Sequence, residues 1–472
     1  MEYKDLEPKE VFHWFGEISK IPRESGNEKE ISDFLVNFAK ERNLEYWQDD
    51  VLNVFIKKEA SPGYEDYPSV LLQGHMDMVA VKEDGSDHDF KKDPIKLLLD
   101  GQWLTAEATT LGADDGIALA FALAILDDDK IEHGPISVLI TTGEETSMVG
   151  VNNLDTDKLE NPKYLLNIDS EENGILTVGC AGGMDIEFSF DKEYEKSDGD
   201  FVEIELKNFQ GGHSGMEIDK YRLNAIKGLF RMIDSLEDVR IAEVSGGVKR
   251  NAIPSQSRAI IEVKNLDKSL KKLEEVKEEI LHEYKGSDPK GEIKIKSVEK
   301  RSKVLSKDLS QRMTDAVLAV SDGVVKKYKG SLVTSSNLGL IDEDEDKIIF
   351  IVLTRSEVTS AKRARRDQIK KQVKVYGAEL YSHNEYPGWE REDSILLEKM
   401  IKTWKDLFGY NPKVLTTHGG LECGLLKQDL KDTQMVSFGP EIEGAHSTDE
   451  RLNIESTKNN YKFLLELLKR LD

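Results

Sequence analysis

Residues 69–77 read SVLLQGHMD, an unbroken apolar run that stops at a glycine and delivers a histidine and an aspartate. A short apolar run without alternation fits a strand buried on both faces, and such strands belong to parallel sheets covered by helices. Moving outward, the pattern recurs in ISVLITT (136–142) and YLLNI (164–168), with a helix expected from Gly116 to Leu126 before them. Upstream, residues 8–42 read as two helices broken at Pro22 and Gly26. The middle of the chain differs. VEIELK (202–207) and EIKIKSV (292–298) alternate apolar with charged residues, the period of strands with one wet face, and amphipathic helices are expected at 223–236 and 269–281. After Pro387 the first pattern resumes as helix 392–408, VLTTH (414–418), helix 421–427, MVSFG (435–439) and a final helix 455–470. The expectation is an α/β chain. A discontinuous domain of residues 1–184 and 386–472 carries a mostly parallel sheet flanked by helices, and an α+β domain of residues 185–385 is inserted into it.

A length of 472 residues suits two or three domains. The 65 basic and 90 acidic residues leave a net charge of −25, which speaks against nucleic acid and suits cations. Two cysteines, Cys180 and Cys423, supply neither a disulfide framework nor a Cys-rich zinc site. The charged N-terminus shows no signal peptide, and runs such as IIFIVL (348–353) are far shorter than a membrane helix requires. A cytoplasmic protein without membrane or nucleic-acid partners is expected. The basic run Lys362-Arg363-Ala364-Arg365-Arg366 reads as a solvated helix face.

In open α/β sheets, sites form beyond the carboxyl ends of the strands. There the sequence places His75 and Asp77, then Glu144-Glu145, then Asp169, and the loop ending at His446. Gly112-Ala113-Asp114-Asp115-Gly116 adds an acidic pair where a helix opens. An adjacent acidic pair means little by itself in a chain with 90 acidic residues, and a lone histidine after a strand is often structural. Their coincidence of place is what carries weight. Two His with three or more carboxylates match a pair of zinc-like ions about 3.5–4 Å apart sharing a bridging carboxylate. No HExxH string offers a single-zinc alternative. Asp77, two residues after His75, falls on the same face of an extended strand, placed to hold the second imidazole nitrogen.

The strings LLQGHMDMV, TTLGADDGIALA, TTGEETSMVG, LLNIDSEENGILTVGCAGG, FQGGHSG, VKRNAIP, THGGLECGL and AHSTDERL resemble, in order and spacing, the cytosolic Xaa-His dipeptidases (aminoacyl-histidine dipeptidases, carnosinase-like). These belong to the wider group of two-zinc exopeptidases, aminoacylases and tripeptidases, and the resemblance covers nearly the whole chain. It implies a catalytic α/β domain with an inserted lid domain, and two divalent metals: zinc, with cobalt or manganese as alternatives. Asp114 would bridge them, His75 and Asp169 would complete one site, and Glu145 and His446 the other. Glu144 would be the general base, with Asp77 behind His75. His213 would stabilise the oxyanion, in its own subunit or across a homodimer formed through the lid domain. Asn251 and Arg355 resemble substrate-holding residues, Arg355 suiting a terminal carboxylate. His418 and Glu422 are assigned to the pocket wall. The implied activity is metal-dependent hydrolysis of small peptides, dipeptides including Xaa-His. The alternatives are an N-acyl amino acid deacylase or tripeptidase on the same scaffold, or a non-catalytic peptide-binding relative. One departure is Asp115, where the family usually carries Asn.

Overall fold

The computed structural model describes residues 3–328 and 331–472. The chain divides into two compact units: unit 1 is Met1–Gly179, Arg391–Thr416 and Leu421–Asp472, and unit 2 is Cys180–Glu390 with Thr417–Gly420.

Unit 1 is built on an eight-stranded sheet. Its four central strands, Ile136–Thr141, Val70–His75, Tyr164–Asn167 and Gln434–Ser437, run parallel, so their carboxyl ends share one edge. Within them His75 lies opposite Thr141, and Asn167 lies opposite both Gln73 and Ser437. The parallel pattern read from the apolar runs holds for this centre. The flanks are antiparallel, Val54–Lys58 against Ile136–Thr141 and Ile175–Cys180 against Gln434–Ser437. The helix Ala113–Asp127 is buried from Ala113 to Leu126, as its all-round apolar sequence IALAFALAIL demands. Asp114 and Asp115 have non-helical backbone angles, so the regular helix starts at Gly116 and the acidic pair stands on the turn before it.

Unit 2 carries a nine-stranded antiparallel sheet, in which Lys347–Ser356 lies between Ser331–Glu343 and Gly182–Asp191. Helices Ala225–Asp234, Leu266–Glu283, Lys307–Ala319 and Thr359–Val375 share a separate core with it, including Phe188, Ile204, Phe230, Ile261 and Phe350. Of the basic run at residues 362–366, expected as a solvated helix face, Arg363 and Ala364 are exposed but Lys362 and Arg365 are buried. Lys362 is fully buried with its Nζ donating to the Tyr386 carbonyl, and Arg365 donates to Ser336 Oγ (2.8 Å) and the Ser321 carbonyl (2.6 Å). A long cation can be buried when fixed carbonyl and hydroxyl oxygens replace its water, a provision that a charge run in sequence does not display. Among the described residues no helix is long and apolar enough to cross a membrane.

Candidate active site

The loops leaving the parallel strands of unit 1 bring the expected ligands together. Asp114 Oδ1 is 3.2 Å from His75 Nε2, and Asp169 Oδ1 is 3.6 Å from the same nitrogen. Asp114 Oδ2 is 3.0 Å from His446 Nε2, which lies 2.9 Å from Glu145 Oε1. One aspartate therefore offers one oxygen to each of two groups, His75–Asp114–Asp169 and Asp114–Glu145–His446. Within each, the ligand atoms lie within 4.8 Å of one another, and His75, Glu144 and Glu145 form a third set. His446 is held with φ at 62°, a left-handed conformation that disfavours side-chain-bearing residues and marks a position fixed by its surroundings.

The residues fit divalent metal. Glu145 Oε1 is buried without a hydrogen-bond partner although His446 Nε2 is close by, which suits a shared cation better than a direct bond. Imidazole with carboxylate is a donor set for zinc, cobalt or manganese. Charge points the same way. Burial, with the neighbouring acids, pushes Glu144 well above the usual carboxylate range, pushes Glu145 up to about 7, and raises Asp169. Burial acts in the same sense on Asp114, but bonds from His446 and His75 outweigh it and hold that carboxyl below the usual range. The Asp114 and Glu145 carboxylates in turn push His446 up to about 11. The protein's own groups leave an excess of buried negative charge, which a metal ion would neutralise.

Asp77 is completely buried, with Oδ1 3.4 Å from His75 Nδ1. The regular strand ends at His75, so this contact is made by the loop rather than by a shared strand face. The turn lets the carboxylate do more: it accepts from the Ser25 hydroxyl (2.7 Å) and from the amides of Glu144 (3.1 Å) and Glu145 (3.4 Å). Asp115 Oδ2 accepts from the His75 amide (3.2 Å), and a side chain at Gly74 would meet that oxygen at 2.4 Å.

Unit 2 gathers a second cluster. His213 and Ala252 pair between two short strands, and the Asn251 carbonyl accepts from the Ser214 amide (2.9 Å), so Asn251 lies beside His213. The Met216 amide donates to His213 Nδ1 (3.2 Å), which puts the proton of a neutral ring on Nε2. Arg355 Nη2 is 3.3 Å from that Nε2, and Arg355 Nη1 donates to Tyr386 Oη (3.2 Å). Two donors this close suit a shared acceptor oxygen. On the strand next to Arg355, Ser335 Oγ bonds His418 Nε2 (2.8 Å). Burial and the Arg355 charge push His418 down to about 4, keeping it neutral.

Sequence reading missed several partners. Glu422, assigned to the pocket wall, has partners that the sequence did not show. It is fully buried in unit 1, where its Oε2 accepts from Gln73 Nε2 (2.5 Å) and Thr141 Oγ1 (2.6 Å), and burial pushes it up to about 8. Glu450 and Arg23, which hold the Asp114 turn, were not singled out at all. The only sequence signal for Glu450 is its place four residues after His446, and Arg23 has none beyond its place after Pro22.

A metal-dependent peptidase is the class that this fold and this ligand arrangement define. The model of Peptidase family M20/M25/M40 matches residues 71–470, and the chain belongs to that family. It is 36% identical over 482 aligned residues to the cytosol non-specific dipeptidase of Escherichia coli K12, covering 100% of this chain and 99% of that protein. The crystal structure of aminoacylhistidine dipeptidase from Vibrio alginolyticus superposes with a TM-score of 0.87 at 34% identity, covering 100% of this chain and 98% of that one. A tripeptidase from Staphylococcus aureus shares the fold alone, with a TM-score of 0.58 at 17% identity and 99% of each chain covered.

Proposed function

We propose that the protein hydrolyses unblocked dipeptides, Xaa-His among them, in a reaction that depends on two divalent metal ions, most simply zinc. The observation that carries this reading is the division of Asp114 between the His75–Asp169 and Glu145–His446 groups, which is the arrangement a bridging carboxylate requires. Two relatives that match over the full length at 34–36% identity are dipeptidases by name.

Bound ions of this kind lower the pKa of water and polarise a carbonyl. His75 and Asp169 would hold one ion, Glu145 and His446 the other, and Asp114 would serve both. Asp77 keeps the His75 tautomer by accepting from Nδ1 at its backbone carbonyl (3.1 Å), with its carboxylate 3.4 Å from the same nitrogen, and that carboxylate fixes the backbone of Glu144 and Glu145. Glu144 takes a proton from the attacking water and returns it to the leaving nitrogen. Its place beside the ligand Glu145, with its amide fixed by Asp77, suits it to that transfer. From the lid, His213 Nε2–H donates to the oxyanion, while Arg355, with Asn251 nearby, holds the terminal carboxylate. The adjacency of two donors at His213 and Arg355 supports this use.

The relative named as a cytosol protein supports a cytoplasmic location. A homodimer through the lid domain belongs to the same reading, and light scattering would detect it. The activity itself is tested with a panel of dipeptides beside tripeptides and N-acetyl amino acids. Dipeptide cleavage that disappears with chelator and returns with zinc, cobalt or manganese is expected. Equal cleavage by chelated and restored enzyme would remove the two-metal mechanism, and preference for N-acetyl amino acids or tripeptides would favour the alternative substrates.

A further inference from the structure

The turn Leu111–Asp114 is held on both sides by buried charges that the reaction does not use. On the amide side, Glu450 Oε2 accepts from Leu111 (2.8 Å) and Gly112 (3.0 Å), and Oε1 accepts from Ala113 (2.8 Å) and Asp114 (3.4 Å). On the carbonyl side, Arg23 Nη2 donates to Gly112, while Nη1 donates to Met76 (3.0 Å) and Asp77 (3.2 Å) on the His75 loop. Both side chains are almost wholly buried, at 2% and 3% exposure. The turn is shaped around this arrangement. Gly112 sits at φ +69°, and a Cβ there would come within 2.5 Å of Arg23 Nη2.

Burying two charges is expensive unless every donor and acceptor is used. Here the carboxylate uses both oxygens on four consecutive amides and the guanidinium spans three carbonyls from two loops. We propose that Arg23 and Glu450 are a positioning pair that locks the Asp114 turn to the His75 loop and to the His446 loop, so that Asp114 presents one oxygen to each metal. The proposal rests on the reading of Asp114 as the bridging ligand. Neither residue touches the substrate, and both act through the backbone.

Conservative replacements cannot restore this geometry. In Glu450→Gln the amide nitrogen would turn donors against two of the four N–H groups. In Arg23→Lys a compact ammonium on a flexible stem replaces a planar fork. Lys58 supplies the control: it too is a buried cation on backbone carbonyls, those of Ile125, Leu126 and Asp128, at the far end of the same helix, about 20 Å away.

The experiment titrates zinc into metal-free full-length protein against a chromophoric chelator, and records the visible absorption of the cobalt-loaded form. Glu450→Gln and Arg23→Lys should each weaken one binding event about 10–100-fold and alter the cobalt spectrum. Lys58→Met should lower the melting temperature of the metal-free protein while leaving affinity and spectrum unchanged. Arg23→Lys keeps the buried charge and serves as the folded variant if Glu450→Gln does not fold. Unchanged affinity and spectrum in the variants, whatever their melting temperatures, overturns the positioning role. Asp114→Asn run alongside separates the two layers. If it loses a metal while the pair's variants do not, the pair alone is wrong; if it binds both ions normally, the bridging assignment fails and the proposal with it.

Discussion

The parallel centre of unit 1 and the antiparallel sheet of unit 2 are both held by apolar cores, yet they collect opposite chemistry. Unit 1 ends its strands in loops that bring Asp77, Asp114, Glu144, Glu145 and Asp169 around two imidazoles, an environment short of positive charge. Unit 2 sets Arg355 beside the Nε2–H of His213, with Tyr386 and a neutral His418 nearby, and so presents donors. A dipeptide in transit to products has needs of both kinds. Its attacking water must lose a proton, whereas its oxyanion and carboxylate need donors. Under the proposed function the difference would be a division of labour, with unit 1 handling cations and protons and unit 2 handling anions.

The largest test of that division lies inside unit 1, between two neighbours. Glu144→Ala should keep both metals and lose about 10²–10⁴-fold in kcat, with no rescue by added metal. Glu145→Ala should lose metal from one site and recover partly in excess metal. Elemental analysis beside a rate assay decides it, and loss of metal from the Glu144 variant instead would reverse the two roles. On the unit 2 side, His213→Ala should lower kcat about 10²–10³-fold while moving KM much less, because an oxyanion contact is made chiefly in the transition state. Unchanged turnover would leave His213 as a turn residue.

The contrast also has a pH signature in stability. His418, ordinarily near 6.5 and held at about 4, is protonated in the unfolded chain before it is in the folded one. It therefore removes stability as pH falls from 6.5 to 4, by about 3 kcal/mol, and His418→Gln should flatten that limb in acid unfolding curves. Glu422, ordinarily near 4.5 and pushed up to about 8, has the opposite sign. Its stability contribution is complete below 4.5 and is lost as pH rises through 8, so Glu422→Gln should lessen the alkaline loss in metal-free protein. Identical pH limbs in parent and variants would show that neither group is linked to folding. The smallest expected effect is at Arg355. Arg355→Lys should raise KM for dipeptides about 10–100-fold with a lesser change in kcat, since a point charge loses the forked geometry.

Much of this was legible before any coordinate. The apolar runs at 69–73, 136–142 and 164–168 marked buried strands, and the residues just past their carboxyl ends are His75, Glu144-Glu145 and Asp169. The alternation in VEIELK marked the sheet of unit 2. Less visible was anything that depends on where a long side chain ends. The basic run at 362–366 looked solvated, yet Lys362 and Arg365 reach buried oxygens. Glu422 lies 349 residues from its Gln73 partner.

Period and adjacency are properties of the chain, so hydrophobic pattern specified the strands, the inserted antiparallel segment and the order in which ligand-bearing loops occur. Asp77 was within reach of that logic because it lies two residues from His75. The grip of Glu450 on Leu111–Asp114 spans 336 to 339 residues, and that of Arg23 on Gly112 spans 89. These contacts exist only once the sheet has closed and the water around each charge has been replaced by backbone amides and carbonyls. Such groups occur at every residue, and folding alone decides which of them meet a given charge.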